Sequence, residues 1–129
     1  MPPRPGLSKA ELEIARIVWE LKDASVRQVF DALPPGRDID FTTVQTYLRR
    51  LEEKGYLNVR LGGRNRMYSP KVRAQTVIRE TVGEMVDLLF GGDTMPLVRH
   101  LVEDSKFSSQ DIEQLRQLLN RLEGGGDEK

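Results

Sequence analysis

Residues 40–70 read DFTTVQTYLRRLEEKGYLNVRLGGRNRMYSP, and the period of their apolar side chains changes once, at Tyr56. Before that point Val44, Tyr47, Leu48 and Leu51 recur three or four residues apart and mark one face of a helix. Asp40 has the chemistry of an N-cap, and Gly55 supplies a C-terminal stop. Beyond Tyr56, Leu57, Val59 and Leu61 alternate with Asn58 and Arg60, which is the period of a strand with one buried face. Gly62-Gly63-Arg64-Asn65 turns the chain and Arg66-Met67-Tyr68-Ser69 returns it before Pro70. A helix is therefore expected to lead into a β hairpin with a basic tip.

Two further helices precede this unit. Ser8 with Glu11 forms the first capping box, followed by Leu12, Ile14, Ala15, Val18, Trp19 and Leu21, which predicts a helix to about Lys22 with Trp19 as a core anchor. Ser25 with Gln28 forms a second box and opens a short helix with Val26, Val29, Phe30 and Leu33 inside, stopped by Pro34-Pro35-Gly36. Helix, helix, helix, hairpin is the order of a winged helix-turn-helix, with the hairpin as its wing.

Downstream, a helical pattern resumes from Val72 to Phe90 with Val82, Met85, Val86, Leu88 and Leu89, ending at Gly91-Gly92. Asp93 or Thr94 caps a further helix carrying Leu97, Val98, Leu101 and Val102. Ser108 and Asp111 cap a last one whose stripe is Ile112, Leu115, Leu118, Leu119 and Leu122. The fold expected is mainly α with a small β hairpin. It divides into a flexible, proline-rich N-terminal arm (1–7), a winged-helix domain (8–71), a helical dimerisation segment (72–123) and a flexible tail (124–129). The apolar stripes have no evident second core, so Val82, Met85, Leu89, Leu97, Leu101, Ile112, Leu115, Leu118, Leu119 and Leu122 are expected to bury themselves against an identical copy.

Composition narrows the chemistry. The 129 residues hold no cysteine and a single histidine, His100, which removes thiolate metal sites and leaves little for a histidine-based triad. No enzyme, metal or cofactor is expected. No apolar run is long enough to cross a bilayer and no signal peptide opens the sequence, so a cytoplasmic protein is expected. The formal charge is zero, yet residues 1–73 hold 14 Lys and Arg against 9 Asp and Glu, and residues 74–129 hold 6 against 11. The positive half suits a polyanion and the negative half does not.

The third helix has its apolar side occupied, which turns Thr42, Thr43, Gln45, Thr46 and Arg49 outward. Gln bonds adenine's major-groove edge in two places, Arg bonds guanine's, and Thr offers a hydroxyl or a methyl. These are the candidate base readers, at the end of the helix that enters the groove in helix-turn-helix proteins. Between residues 49 and 73 eight cations face only Glu52 and Glu53. Arg50, Arg60, Arg64 and Arg66 are the candidate phosphate contacts. The plain alternative is a solvated helix face beside a solvated loop. A different functional class, a winged helix that joins protein complexes without touching DNA, is the competing reading. Acidic pairs such as Asp38 with Asp40 are explained by loop polarity.

Taken together, residues 7–13 (LSKAELE) leading to Val18-Trp19, the run from Thr42 to Leu51 with Lys54-Gly55, Tyr68 closing the wing, and Phe90-Gly91-Gly92 with Leu97-Val98 resemble the penicillinase-repressor and methicillin-resistance-repressor family of bacterial winged-helix regulators. The resemblance runs from Leu7 to about Leu122. It implies a homodimeric repressor that binds a dyad-symmetric stretch of double-stranded operator DNA. It also implies relief by an external signal, such as antibiotic-triggered cleavage by a membrane-bound metalloprotease sensor. Where such repressors carry the cleaved Asn-Phe pair, this chain has His100-Leu101, so His100 is either a site of regulated cleavage or simply a half-buried helical residue. A copper-responsive branch senses metal through C-terminal cysteines, which this chain lacks.

Overall fold

The computed structural model describes residues 4–127. Its elements run in the order α1 (Lys9–Leu21), β1 (Ala24–Ser25), α2 (Val26–Asp31), α3 (Phe41–Glu53), β2 (Leu57–Gly62), β3 (Asn65–Pro70), α4 (Ala74–Phe90), α5 (Thr94–Asp104) and α6 (Ser109–Asp127). The chain divides into two compact units, Met1–Thr81 and Val82–Lys129.

Local chemistry sets the ends of the helices in the first unit. Ser8 and Glu11 exchange side-chain-to-backbone bonds at the start of α1, and Ser25 and Gln28 do the same for α2. Asp40 accepts from Thr43 N at 2.8 Å and caps α3. α3 ends in a Schellman turn: Tyr56 N donates to Leu51 O, Gly55 N donates to Glu52 O, and Gly55 takes φ 90°. A side chain at Gly55 would meet the steric penalty of left-handed backbone, which explains the glycine.

Ile14, Ala15 and Val18 of α1, Val29 of α2, Val44, Leu48 and Leu51 of α3, and Leu57 and Tyr68 of the sheet close one core. Val77, from the first turn of α4, is buried with them. The spacing read from the sequence is kept in the core, with departures at its edges: Leu21 is exposed, and Leu33 lies beyond the end of α2. Trp19 is half-buried at the edge of this core, with its Nε1 shut off from solvent and lacking a hydrogen-bond acceptor. Leu61, expected on the buried face of the strand, is 74% exposed, because the hairpin projects past the helices that cover Leu57 and Val59.

The sheet is antiparallel in the order β1-β3-β2, with Val59 opposite Tyr68 and Gly62 opposite Asn65. It therefore holds a third strand beyond the expected hairpin: Ala24 and Ser25 pair with Tyr68 and Met67. At the tip, Gly63 takes φ 69°, the positive dihedral that a two-residue hairpin loop needs at its first position.

The N-terminal arm is described from Arg4 onward. Arg4 binds Glu80 at 2.7 Å and lies 5.5 Å from the Tyr56 ring centroid. Tyr56 donates its hydroxyl to Pro5 O, and Lys54 Nζ donates to Gly6 O. Residues 1–3 of that arm lie outside the described residues.

In the second unit Asp93 caps α5, and Ser108 and Asp111 form the capping box of α6. Helix α6 continues through Gly124 to Asp127, over part of the segment expected to be a tail; residues 128 and 129 lie outside the described residues. Among the described residues of this unit, only Val86 is buried.

Candidate nucleic-acid interface

Helix α3 presents one edge that the chain leaves open. Val44, Leu48 and Leu51 point into the core, and the 100° step of a helix then turns Thr42, Gln45 and Arg49 outward, all three exposed, with Thr43 and Thr46 half-buried beside them. One of the threonine hydroxyls is already in use. Thr46 Oγ1 donates to Thr42 O at 3.1 Å, which leaves its methyl and lone pairs to face outward. Hydrogen bonding from Thr43 holds the Asp40 carboxyl below its usual range.

A cleft of about 360 Å³ lies between this edge and the wing, and it gathers Gln45 with Arg64, Asn65 and Arg66 of the hairpin and with Arg27 and Phe41. One candidate base reader and two candidate phosphate contacts thus share one concave site. Arg49 and Arg50 stand outside it, farther along α3, and both are exposed. The Arg50 guanidinium carbon lies 5.9 Å from the Tyr47 ring centroid. Arg60 is on the wing but engaged: its Nη2 donates to Asp23 Oδ2, so it reaches the surface as part of an ion pair.

Arg27 was not among the residues singled out from sequence. Its guanidinium carbon lies 4.9 Å from the Phe41 ring centroid and 5.7 Å from that of Phe30, and those two rings meet edge to face at 5.7 Å. Aromatic faces attract a cation and limit where it can swing. Its nearest carboxylate, Asp31, is 4.0 Å away, the limit of an ion pair, so most of its hydrogen-bonding capacity is open. A signal was available: Arg27 sits in the first turn of the helix before α3, and that helix crosses the DNA backbone in helix-turn-helix proteins.

The remaining candidates lie in the second unit. Val82, Met85, Leu89, Leu101, Ile112, Leu115, Leu118, Leu119 and Leu122 are exposed, and Leu97 is half-buried. His100 and Leu101 lie inside α5, with His100 Nδ1 2.8 Å from Asp104 Oδ2. Among the described residues no group of three His, Asp or Glu side chains could hold a metal ion, and no helix is long and apolar enough to cross a membrane.

A sequence model described as Penicillinase repressor matches residues 7–121. The chain belongs to the penicillinase repressor family. Within this family of repressors it is 28% identical over 115 residues to the methicillin resistance regulatory protein MecI of Mammaliicoccus sciuri, covering 89% of this chain and 94% of that one. It is also 28% identical over 115 residues to the penicillinase repressor of Bacillus licheniformis, covering 89% and 90%. The solved DNA-binding domain of the repressor BlaI superposes with a TM-score of 0.51 at 32% identity, covering 57% of this chain and 90% of that structure. The winged-helix reading of the first unit agrees with that superposition, and the family resemblance read from residues 7 to 122 agrees with the span of the match.

Proposed function

We propose that this family member is a dimeric transcriptional repressor that binds double-stranded operator DNA. The observation that carries the reading is the open edge of α3 beside a cleft furnished with Arg27, Arg64 and Arg66. The helix edge fits a major groove, and the arginines meet the flanking phosphates. Gln45 and Arg49, with the threonines 42, 43 and 46, read bases; Arg27, Arg50, Arg64 and Arg66 hold the backbone, and Arg60 contributes as far as Asp23 releases it. The similarity to a domain designated as the DNA-binding part of a repressor supports the same role here.

Dimerisation accompanies it. The second unit leaves nearly all its large apolar side chains in solvent as a single chain, a state that soluble proteins avoid on contiguous surfaces. A second copy is the partner whose surface matches by symmetry, and two α3 edges then meet half-sites about one helical turn apart or a multiple of it. Such a protein works in the compartment that holds the DNA, the cytoplasm of a bacterium.

Relief of repression by a membrane-bound metalloprotease sensor, with the His100–Leu101 bond as the cut, is the family's route carried onto this chain. Treating cells with a β-lactam and blotting for a fragment that ends at His100 tests it; an intact chain under induction rejects it.

The DNA-binding reading is tested by selecting bound sequences from a random pool with the full chain. A palindromic site is expected. A flat profile, with no shift of the DNA upstream of the protein's own gene, would favour the protein-interaction reading.

A further inference from the structure

Outside the cleft beside α3, the first unit carries a second concavity, a groove of about 580 Å³ between the outer face of α1 and the first turns of α4. Its volume lies within the range of small-molecule sites. Leu12, Trp19, Ala74 and Ile78 supply an apolar bed, and Ile78 is 56% exposed, a large aliphatic side chain left in water.

Charge at the rim is uneven. Lys9 and Arg16 are the two cations. Of the two carboxylates, Glu13 is taken by Arg37, whose Nε donates to Oε1 at 2.8 Å and to Oε2 at 2.9 Å. Glu20 stands 3.7 Å from Arg16, a loose pair with both partners largely exposed. Lys9 has no ion-pair partner among the described residues. The bed therefore favours a flat apolar body and the rim an anion.

We propose that this groove binds a small aromatic carboxylate. The rings lie on Trp19 between Leu12 and Ile78, and the carboxylate meets Arg16 and Lys9. The groove shares no residue with the α3 edge or the wing, so binding here is separable from DNA binding.

Trp19 is the single tryptophan, so the ¹⁵N-labelled full chain gives one indole N–H resonance. Titration with 2-naphthoate is expected to move that resonance saturably, with a midpoint below about 1 mM. The uncharged 2-naphthamide should need at least about ten times more, because it offers the cations no charge-assisted hydrogen bond. Arg16→Gln combined with Lys9→Gln should weaken naphthoate to the level of the amide, and Ile78→Asp should abolish the shift while the other resonances stay in place. No movement up to about 1 mM, equal response to acid and amide, or no effect of the charge variants overturns the proposal. So does Ile78→Asp lowering the sedimenting mass, which would make the groove a surface shared between copies. Failure of operator binding in the same preparation leaves the titration unaffected.

Discussion

Lys54 donates to Glu11 Oε1 at 2.7 Å and to Gly6 O at 3.0 Å, so one ammonium joins the end of α3, the start of α1 and the N-terminal arm. Glu11 is only 2% exposed, and the same Oε1 accepts from Ser8 N at 2.9 Å. Burial pushes the carboxyl up, but the bonds from Lys54 and Ser8 outweigh it and hold the group below the ordinary glutamate range. Replacing Lys54 by Met leaves a buried carboxylate without its counter-charge. We expect a loss of about 2–3 kcal/mol in urea unfolding, less than the roughly 3–5 kcal/mol of a fully enclosed pair because Lys54 keeps some solvent.

The same network sets a pH dependence. Glu11 has a lower pKa folded than unfolded, so its contribution is full above the unfolded value of a glutamate and is lost as pH falls through the depressed folded one. Wild-type stability should fall through the acid range more steeply than that of Glu11→Gln, which should be less stable at neutral pH. Parallel curves for the two proteins would contradict this.

At the α3 edge, base readers and backbone anchors should separate in a binding-site selection. Gln45→Ala or Arg49→Ala should relax preference at one operator position, at a cost of about 1–3 kcal/mol where a bidentate pair is removed. Arg64→Ala and Arg27→Ala should weaken all sequences alike and lower the slope of log K against log salt by about one for each phosphate no longer neutralised. An unchanged selection profile for the first pair, or a changed one for the second, would reverse the assignment.

The wing depends on Gly63, whose φ of 69° disfavours any β-branched side chain. Gly63→Val should cost about 1–2 kcal/mol and weaken operator affinity without altering sequence preference, as read by a gel shift. Equal affinity in the variant would show that the tip stays clear of the backbone.

In the second unit, Leu118→Asp places a charge on the stripe from Ile112 to Leu122. A two-fold interface carries the substitution twice, so the dimer dissociation constant should rise by about 100-fold or more. Sedimentation over a micromolar concentration series measures it; an unchanged mass would move the interface elsewhere.

What the sequence disclosed was what short-range chemistry determines. The caps at Ser8, Ser25, Asp40, Asp93 and Ser108 act within three residues, and the period change at Tyr56 is local too, so the helices and the hairpin were readable. Strand β1 was not, since two residues have no period and their pairing with Met67 and Tyr68 is settled across more than 40 positions. The arm's bonds span still more sequence, from Arg4 to Glu80 and from Pro5 to Tyr56. Alternation placed Leu61 on the face with Leu57, but how far a hairpin runs past its core is a tertiary matter. Arg27 was passed over in the sequence because the rings that position it come from α2 and α3 together, a tertiary arrangement. Arg60 looked like a free cation until Asp23 came to meet it.

The His100–Leu101 bond belongs to a wound stretch of backbone, since α5 covers Thr94–Asp104. Peptidases that grip an extended strand must wait for that turn to melt, so digestion there is clocked by how often α5 frays, and association that rigidifies the helix slows the clock. Susceptibility at this bond would then rise on dilution, making proteolysis a gauge of concentration as well as of the enzyme added.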